Sequence, residues 1–157
     1  MTTPTIPAIP GFAEWVAAAD DVLTGDPLWS MQAYRLGMYA IVCHNRDRKS
    51  FPSLANSPAL DQVTRAIGSV AANIAEGYSR SGLADRNRFY GYALGSAREA
   101  IAWYDTIRSE IGEVATDRQA TLIQVRRIML TILRRSRSES ALSALSDPAR
   151  KRSRKKL

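Results

Sequence analysis

Residues 57–80 read "SPALDQVTRAIGSVAANIAEGYSR". Leu60, Val63, Ile67, Val70 and Ile74 recur at spacings of 3, 4, 3 and 4, the apolar seam of a helix packed in a bundle. Ser57 is placed to cap this helix, and Pro58 suits its first turn, where no amide proton is needed. Gly77 is expected to end it by adopting the left-handed conformation. A helix of this length buries its seam only against partners of similar length, so the fold turns on whether the flanking sequence supplies them.

It supplies three. Upstream, "DPLWSMQAYRLGMYAIVCHNR" opens with Asp26 as cap and Pro27 in the first turn. Leu28, Met31, Tyr34, Met38 and Ile41 or Val42 form its expected stripe, with fading near Asn45 and a polar loop from there to Pro58. Downstream, a third helix is expected after "SRSGL" to about Ile111, before Gly112, on Phe89, Ala93, Ala97, Ala100, Tyr104, Ile107 and Ile111. A fourth begins at Thr116, where "TDRQ" reads as a capping box, with Thr116 capping and Gln119 reaching back. Leu122, Val125, Met129 and Ile132 face its core, and Asp147-Pro148 stops it after about Leu145. The fold class is therefore all-α: an antiparallel up-down four-helix bundle. Residues 1–25 form an N-terminal extension with a short accessory helix in 12–23, residues 26–146 the bundle, and residues 147–157 a disordered basic tail.

The chain has 157 residues and a net charge of +7, unevenly spread. The last ten residues hold Arg150, Lys151, Arg152, Arg154, Lys155 and Lys156 and no acid, leaving sixteen bases against fifteen acids in the first 147. A near-neutral body with a cationic arm points to a polyanionic partner. The single cysteine, Cys43, excludes an intrachain disulfide. No apolar run approaches the roughly 20 residues of a membrane span, and the N-terminus lacks the pattern of a signal peptide. Cytoplasmic localisation is the expectation, with no membrane partner.

Two helices carry residues their own seams do not explain. In the second, Asn73 and Glu76 interrupt an apolar run, and Glu76 faces the negative end of the helix dipole. A carboxylate there needs a cation or backbone N–H donors, and Arg80 and Arg65 are the candidate cations. In the third, Gly91 and Gly95 lie one turn apart, followed by Ser96 and Glu99. Glycine inside a helix costs about 1 kcal/mol relative to alanine, so close approach of the second and third helices is expected, with Asn73 and Glu76 bonded across. An architectural role for Asn73, Glu76, Gly77, Arg80, Gly95, Ser96 and Glu99 is favoured over a ligand site. On the fourth helix Arg126, Arg127, Arg134 and Arg137 share an arc with Ile123 and Leu130. That mixed arc reads as a nucleic-acid face, a subunit contact or both.

"QVTRAIGSVAANIAEGYSRS" (62–81), followed by "RFYGYALGSARE" (88–99), resembles the four-helix-bundle proteins of intervening sequences in bacterial large-subunit ribosomal RNA. Gln62, Arg65, Ser69, Val70, Asn73, Ile74, Ala75, Glu76, Gly77, Tyr78 and Arg80 match one block of that family. Ala93, Leu94, Gly95, Ser96 and Glu99 match the other, and Trp29 and Phe51-Pro52 also fit. This chain departs from the pattern in "SLANSPALD" (53–61) and adds both termini. The resemblance implies a ring-like homo-oligomer, a pentamer by preference, with no catalysis, no cofactor and RNA rather than DNA as partner. A related branch resembles accessory proteins of diversity-generating retroelements, which implies the alternative of a scaffold docking a reverse transcriptase and its template RNA. The residues themselves argue against an enzyme. The only histidine, His44, has no Glu three residues before it and sits beside Cys43 on a helix, about 100° away. No phosphate-binding glycine loop or nucleophile elbow occurs.

Overall fold

A computed structural model describes residues 9–54 and 56–146, and among them there is no strand. Seven α-helices follow in order: α1 Phe12–Ala17, α2 Asp21–Thr24, α3 Gln32–Ser50, α4 Pro58–Tyr78, α5 Leu83–Thr106, α6 Arg108–Ile111 and α7 Glu113–Ser146. Short 3₁₀ turns at Pro27–Ser30 and Pro52–Leu54 precede α3 and α4. The four long helices form a bundle in which α4 packs on α3 and α5, and α7 packs on α5 and α3. Pairs of cross-contacts run antiparallel: Gly37 lies against Val70 and Ala71 while His44 meets Thr64, and Asn87 meets Ser136 while Gln119 meets Ile101.

The α4 seam is buried throughout, from Leu60 and Val63 through Ile67 and Val70 to Ile74. Ser57 caps it by accepting from the Leu60 amide. Gly77, however, does not terminate it in a left-handed turn. The helix runs on to Tyr78, and the positive-φ glycine among the described residues is Gly112, between α6 and α7. Gly77 is glycine for space: a Cβ there would stand 2.6 Å from the Tyr90 ring of α5.

α3 differs more. Its buried face is Ala33, Leu36, Gly37, Ala40, Cys43, His44 and Asp47, whereas Met31, Tyr34, Met38 and Ile41 are half-buried and Val42 is exposed. The small residues admit α4 closely, since a Cβ on Gly37 would sit 3.3 Å from Val70. The helix also continues five residues past Asn45, with Arg48 and Lys49 suiting its negative end. On α5, Tyr90 and Leu94 are buried and Phe89 only half-buried, and the helix breaks at Ile107 before the single turn of α6. The expected capping box does not form. α7 starts at Glu113, and Arg108 donates to both Thr116 Oγ1 and Gln119 Oε1 instead.

The N-terminal extension holds two short helices rather than one and is strapped onto α3 by aromatic contacts. Trp15 lies 5.5 Å from Tyr39 and 5.6 Å from Trp29 between ring centres, Phe12 packs edge-on to Tyr39, and the Tyr39 hydroxyl donates to the Pro10 carbonyl at 2.8 Å.

Candidate nucleic-acid interface

Between Arg118 and Glu139 the sequence of α7 contains five further arginines and no acid. Arg127, Arg134, Arg135 and Arg137 are exposed and Arg126 is half-buried. Arg135 was not anticipated from the sequence, because it stands outside the arc defined by Ile123 and Leu130. None of the five forms an ion pair among the described residues. Arg48 pairs with Asp61, Arg80 with Glu76, Arg88 with Asp85, Arg108 with Asp105 and Arg118 with Asp47, while Arg35, Arg46, Arg65, Arg86 and Arg98, scattered over α3, α4 and α5, form no ion pair among the described residues. What sets α7 apart is that its five unpaired arginines follow one another along a stretch without an acid. Ile123 and Leu130 are half-buried, and Leu130 rests against the bundle core, so part of this apolar pair already serves its own subunit. Arg150, Lys151, Arg152, Arg154, Lys155 and Lys156 lie outside the described residues, as does the Asp147-Pro148 stop.

The α4–α5 junction is held by charge. Glu76 pairs with Arg80 one turn on, which answers its placement against the helix dipole. Arg80 also stacks over Phe89 at 5.0 Å, and its Nε lies 3.5 Å from Asp85, an ion-pair distance without a hydrogen bond. Arg88 reaches Asp85 at 2.5 Å and covers Phe89 at 5.2 Å. Arg86 donates twice to the Arg80 carbonyl, at 2.8 and 3.2 Å, and so caps the end of α4. Asn73 does not bond across to α5; its amide donates to the Ser69 carbonyl of its own helix at 2.8 Å. Gly91 and Gly95 do not mediate close packing within the chain either, since a Cβ at each would meet nothing within 4 Å. Ser96 is half-buried and Glu99 exposed.

The interior carries a polar relay that sequence reading missed. Thr64 spends its one proton on the Leu60 carbonyl, so its oxygen accepts from Arg48 and from His44 Nε2, at 3.0 and 2.8 Å. His44 therefore holds its proton on Nε2 and accepts from the Tyr104 hydroxyl at Nδ1, 3.2 Å away. Burial, with Arg48 and Arg118 nearby, lowers the His44 pKa to about 4, and burial raises that of Tyr104. Asp47 and Arg118 join α3 to α7 through two parallel bonds of 2.8 and 3.0 Å. Burial alone would lower the Arg118 pKa, but the bonds and charge of Asp47 reverse that and raise it. The free Cys43 is buried and its thiol pushed up by burial. Among the described residues no three His, Cys, Asp or Glu side chains gather as a metal site requires. No described helix is long and apolar enough to cross a membrane.

A family model described as "23S rRNA-intervening sequence protein" matches residues 32–128, from the start of α3 into the middle of α7. Arg134, Arg135 and Arg137 lie beyond that span, as does the N-terminal strap. No curated protein matches the chain. A solved structure from Bacteroides thetaiotaomicron, described as a protein with unknown function from the S23 ribosomal protein family, is similar with a TM-score of 0.53 and 21% identity. The match covers 62% of this chain and 97% of that one, and it establishes a shared fold.

Proposed function

This chain belongs to the 23S rRNA-intervening sequence protein family, and from that premise we propose that it is a non-catalytic, homo-oligomeric RNA-binding protein. The observation that carries the reading is the run of five arginines on α7, without an acid among them, leading toward a C-terminal segment with six more bases. Arginine forks suit phosphate oxygens, and cations lacking a carboxylate partner give up no internal pair when they bind one. Each phosphate neutralised releases counterions, so affinity falls steeply with salt. Contacts of this kind follow the backbone and position the RNA without reading its sequence. A ring-like assembly, a pentamer by preference, would repeat the arginine face and the arm around one axis. The alternative of a scaffold for a reverse transcriptase has the sequence resemblance as its support.

The test is titration of a structured RNA with the full chain and with a chain ending at Asp147, at low and raised salt. Steep salt dependence in the full chain, reduced in the shorter one, is expected. Affinities that are equal and insensitive to salt would remove the basic arm from the mechanism.

A further inference from the structure

A recess of about 270 Å³ opens where α7 passes the first turns of α5. Leu83, Tyr90 and Ile132 give it apolar walls, and Met31 closes it from the α3 side. Asn87 and Ser136 line it and are joined by a 2.6 Å bond from the Asn87 amide to the Ser136 hydroxyl oxygen. That bond leaves the Asn87 carbonyl and the Ser136 hydroxyl proton without further partners among the described residues. Three charged groups complete the lining: Arg86, Arg135 and Glu139. Arg86 is held in place by its two bonds to the Arg80 carbonyl, which leave its second terminal nitrogen unused among the described residues. The start of α5 adds its own positive end, because Gly82 offers no side-chain cap to the first amides.

We propose that this recess receives a single unpaired nucleotide of the RNA that binds along α7. The inference rests on the RNA-binding reading and narrows it to RNA with bulged or single-stranded positions. The space of about 270 Å³ is enough to admit one nucleobase. A base inside a duplex cannot enter; one splayed out of the stack can. The apolar walls take its faces, the Asn87 carbonyl and Ser136 hydroxyl meet its polar edge, and Arg86 with Arg135 holds the adjoining phosphate. Glu139 is the one acid present. It accepts from an exocyclic amino group, so adenine or cytosine is favoured over uracil. Arg135 belongs both to this recess and to the α7 arginine run, which makes the two surfaces continuous.

Fluorescence anisotropy with the full chain tests this, using one labelled RNA stem in three forms: fully paired, with a bulged adenosine, and with a bulged uridine. The bulged adenosine stem is expected to bind about tenfold tighter than the paired stem, in line with the usual worth of burying one base, and tighter than the bulged uridine stem. Leu83→Trp, which narrows the mouth at an exposed position, is expected to abolish that preference, with its fold checked by thermal melting. Arg135→Gln, at an exposed site, is expected to weaken the bulged stem more than the paired one. Equal, salt-dependent binding of all three stems would overturn the nucleotide recess while leaving the charge-driven reading intact. Binding to none of them at low salt would overturn both.

Discussion

At the scale of single residues, the polar side chains of the bundle divide by sequence separation. Glu76 and Arg80 are one turn apart, and their pairing could be read from the dipole argument alone. Asp47 and Arg118 are 71 positions apart, and nothing local marks either as the other's partner. The relay through His44 is equally non-local, since Tyr104 lies 60 positions away. It has a consequence for stability. His44 titrates near 6.5 when unfolded and near 4 in the bundle. Above pH 6.5 neither state is protonated at this site and its neutral form sits comfortably in the core. As pH falls from 6.5 toward 4 the unfolded chain takes up a proton that the folded chain refuses, so stability is lost over that window. The difference corresponds to about 3 kcal/mol at its full extent. Urea unfolding at pH 7 and pH 4.5 should therefore show a larger acid loss for the native chain than for His44→Gln. The comparison cancels whatever pH dependence the two chains share. Identical pH dependence in the two chains would mean that His44 does not titrate as its burial requires.

At the scale of elements, periodicity was legible where one helix face is bulky and illegible where it is small. α4 announces itself through Leu60, Val63, Ile67, Val70 and Ile74, all buried. α3 was legible as a helix but not in its inner face, because Ala33, Gly37 and Ala40 share that face with Leu36, while larger residues such as Met38 lie on the flanks. Hydrophobic size is a poor guide when the packing requirement is close backbone approach. The same limit hid the role of Gly77, whose space is filled by a ring from α5, and concealed the break at Ile107, which no proline marks. For the candidate interface, Arg126, Arg127, Arg134 and Arg137 could be read from α7 itself, whereas Arg135 and the recess needed α5 in place. α7 is also the longest helix, 34 residues or about 50 Å, and its meeting of Ser136 with Asn87 sends its last turns beyond the start of α5. The exposed arginines of α7 make a quantitative expectation possible. Replacing Arg127, Arg134 and Arg137 together with glutamine should lower the slope of log affinity against log salt by roughly two units, at about 0.7 per single-strand phosphate contact. Glutamine keeps helix propensity close to that of arginine, so the helix itself is preserved. An unchanged slope with unchanged affinity would place the RNA elsewhere.

At the scale of the whole molecule, the outer face of α5 poses the question of what a single subunit leaves unfinished. Gly91 and Gly95 sit inside a 24-residue helix, yet within the chain a methyl group at either would touch nothing. Alanine at such a position stabilises an isolated helix by about 1 kcal/mol, so internal packing gives no reason for glycine there. Tyr92, between them, is 54% exposed. The proposed homo-oligomer supplies a reason, because a neighbouring subunit seated on this face would use the absent side chains for close approach. The two situations give opposite signs for one substitution. Gly95→Ala should raise the melting temperature of the dilute subunit, where only helix propensity acts. In the assembly it should weaken association, since the added methyl must be accommodated at the contact. Light scattering across a concentration series is expected to show native mass at a multiple of 17.3 kDa, with the Gly95→Ala chain dissociating at higher concentration. A native chain that stays at one subunit mass throughout would remove the assembly. A variant that melts higher while associating normally would move the contact off α5, and the arginine run of α7 would then have to bind RNA without help from glycines on the neighbouring helix.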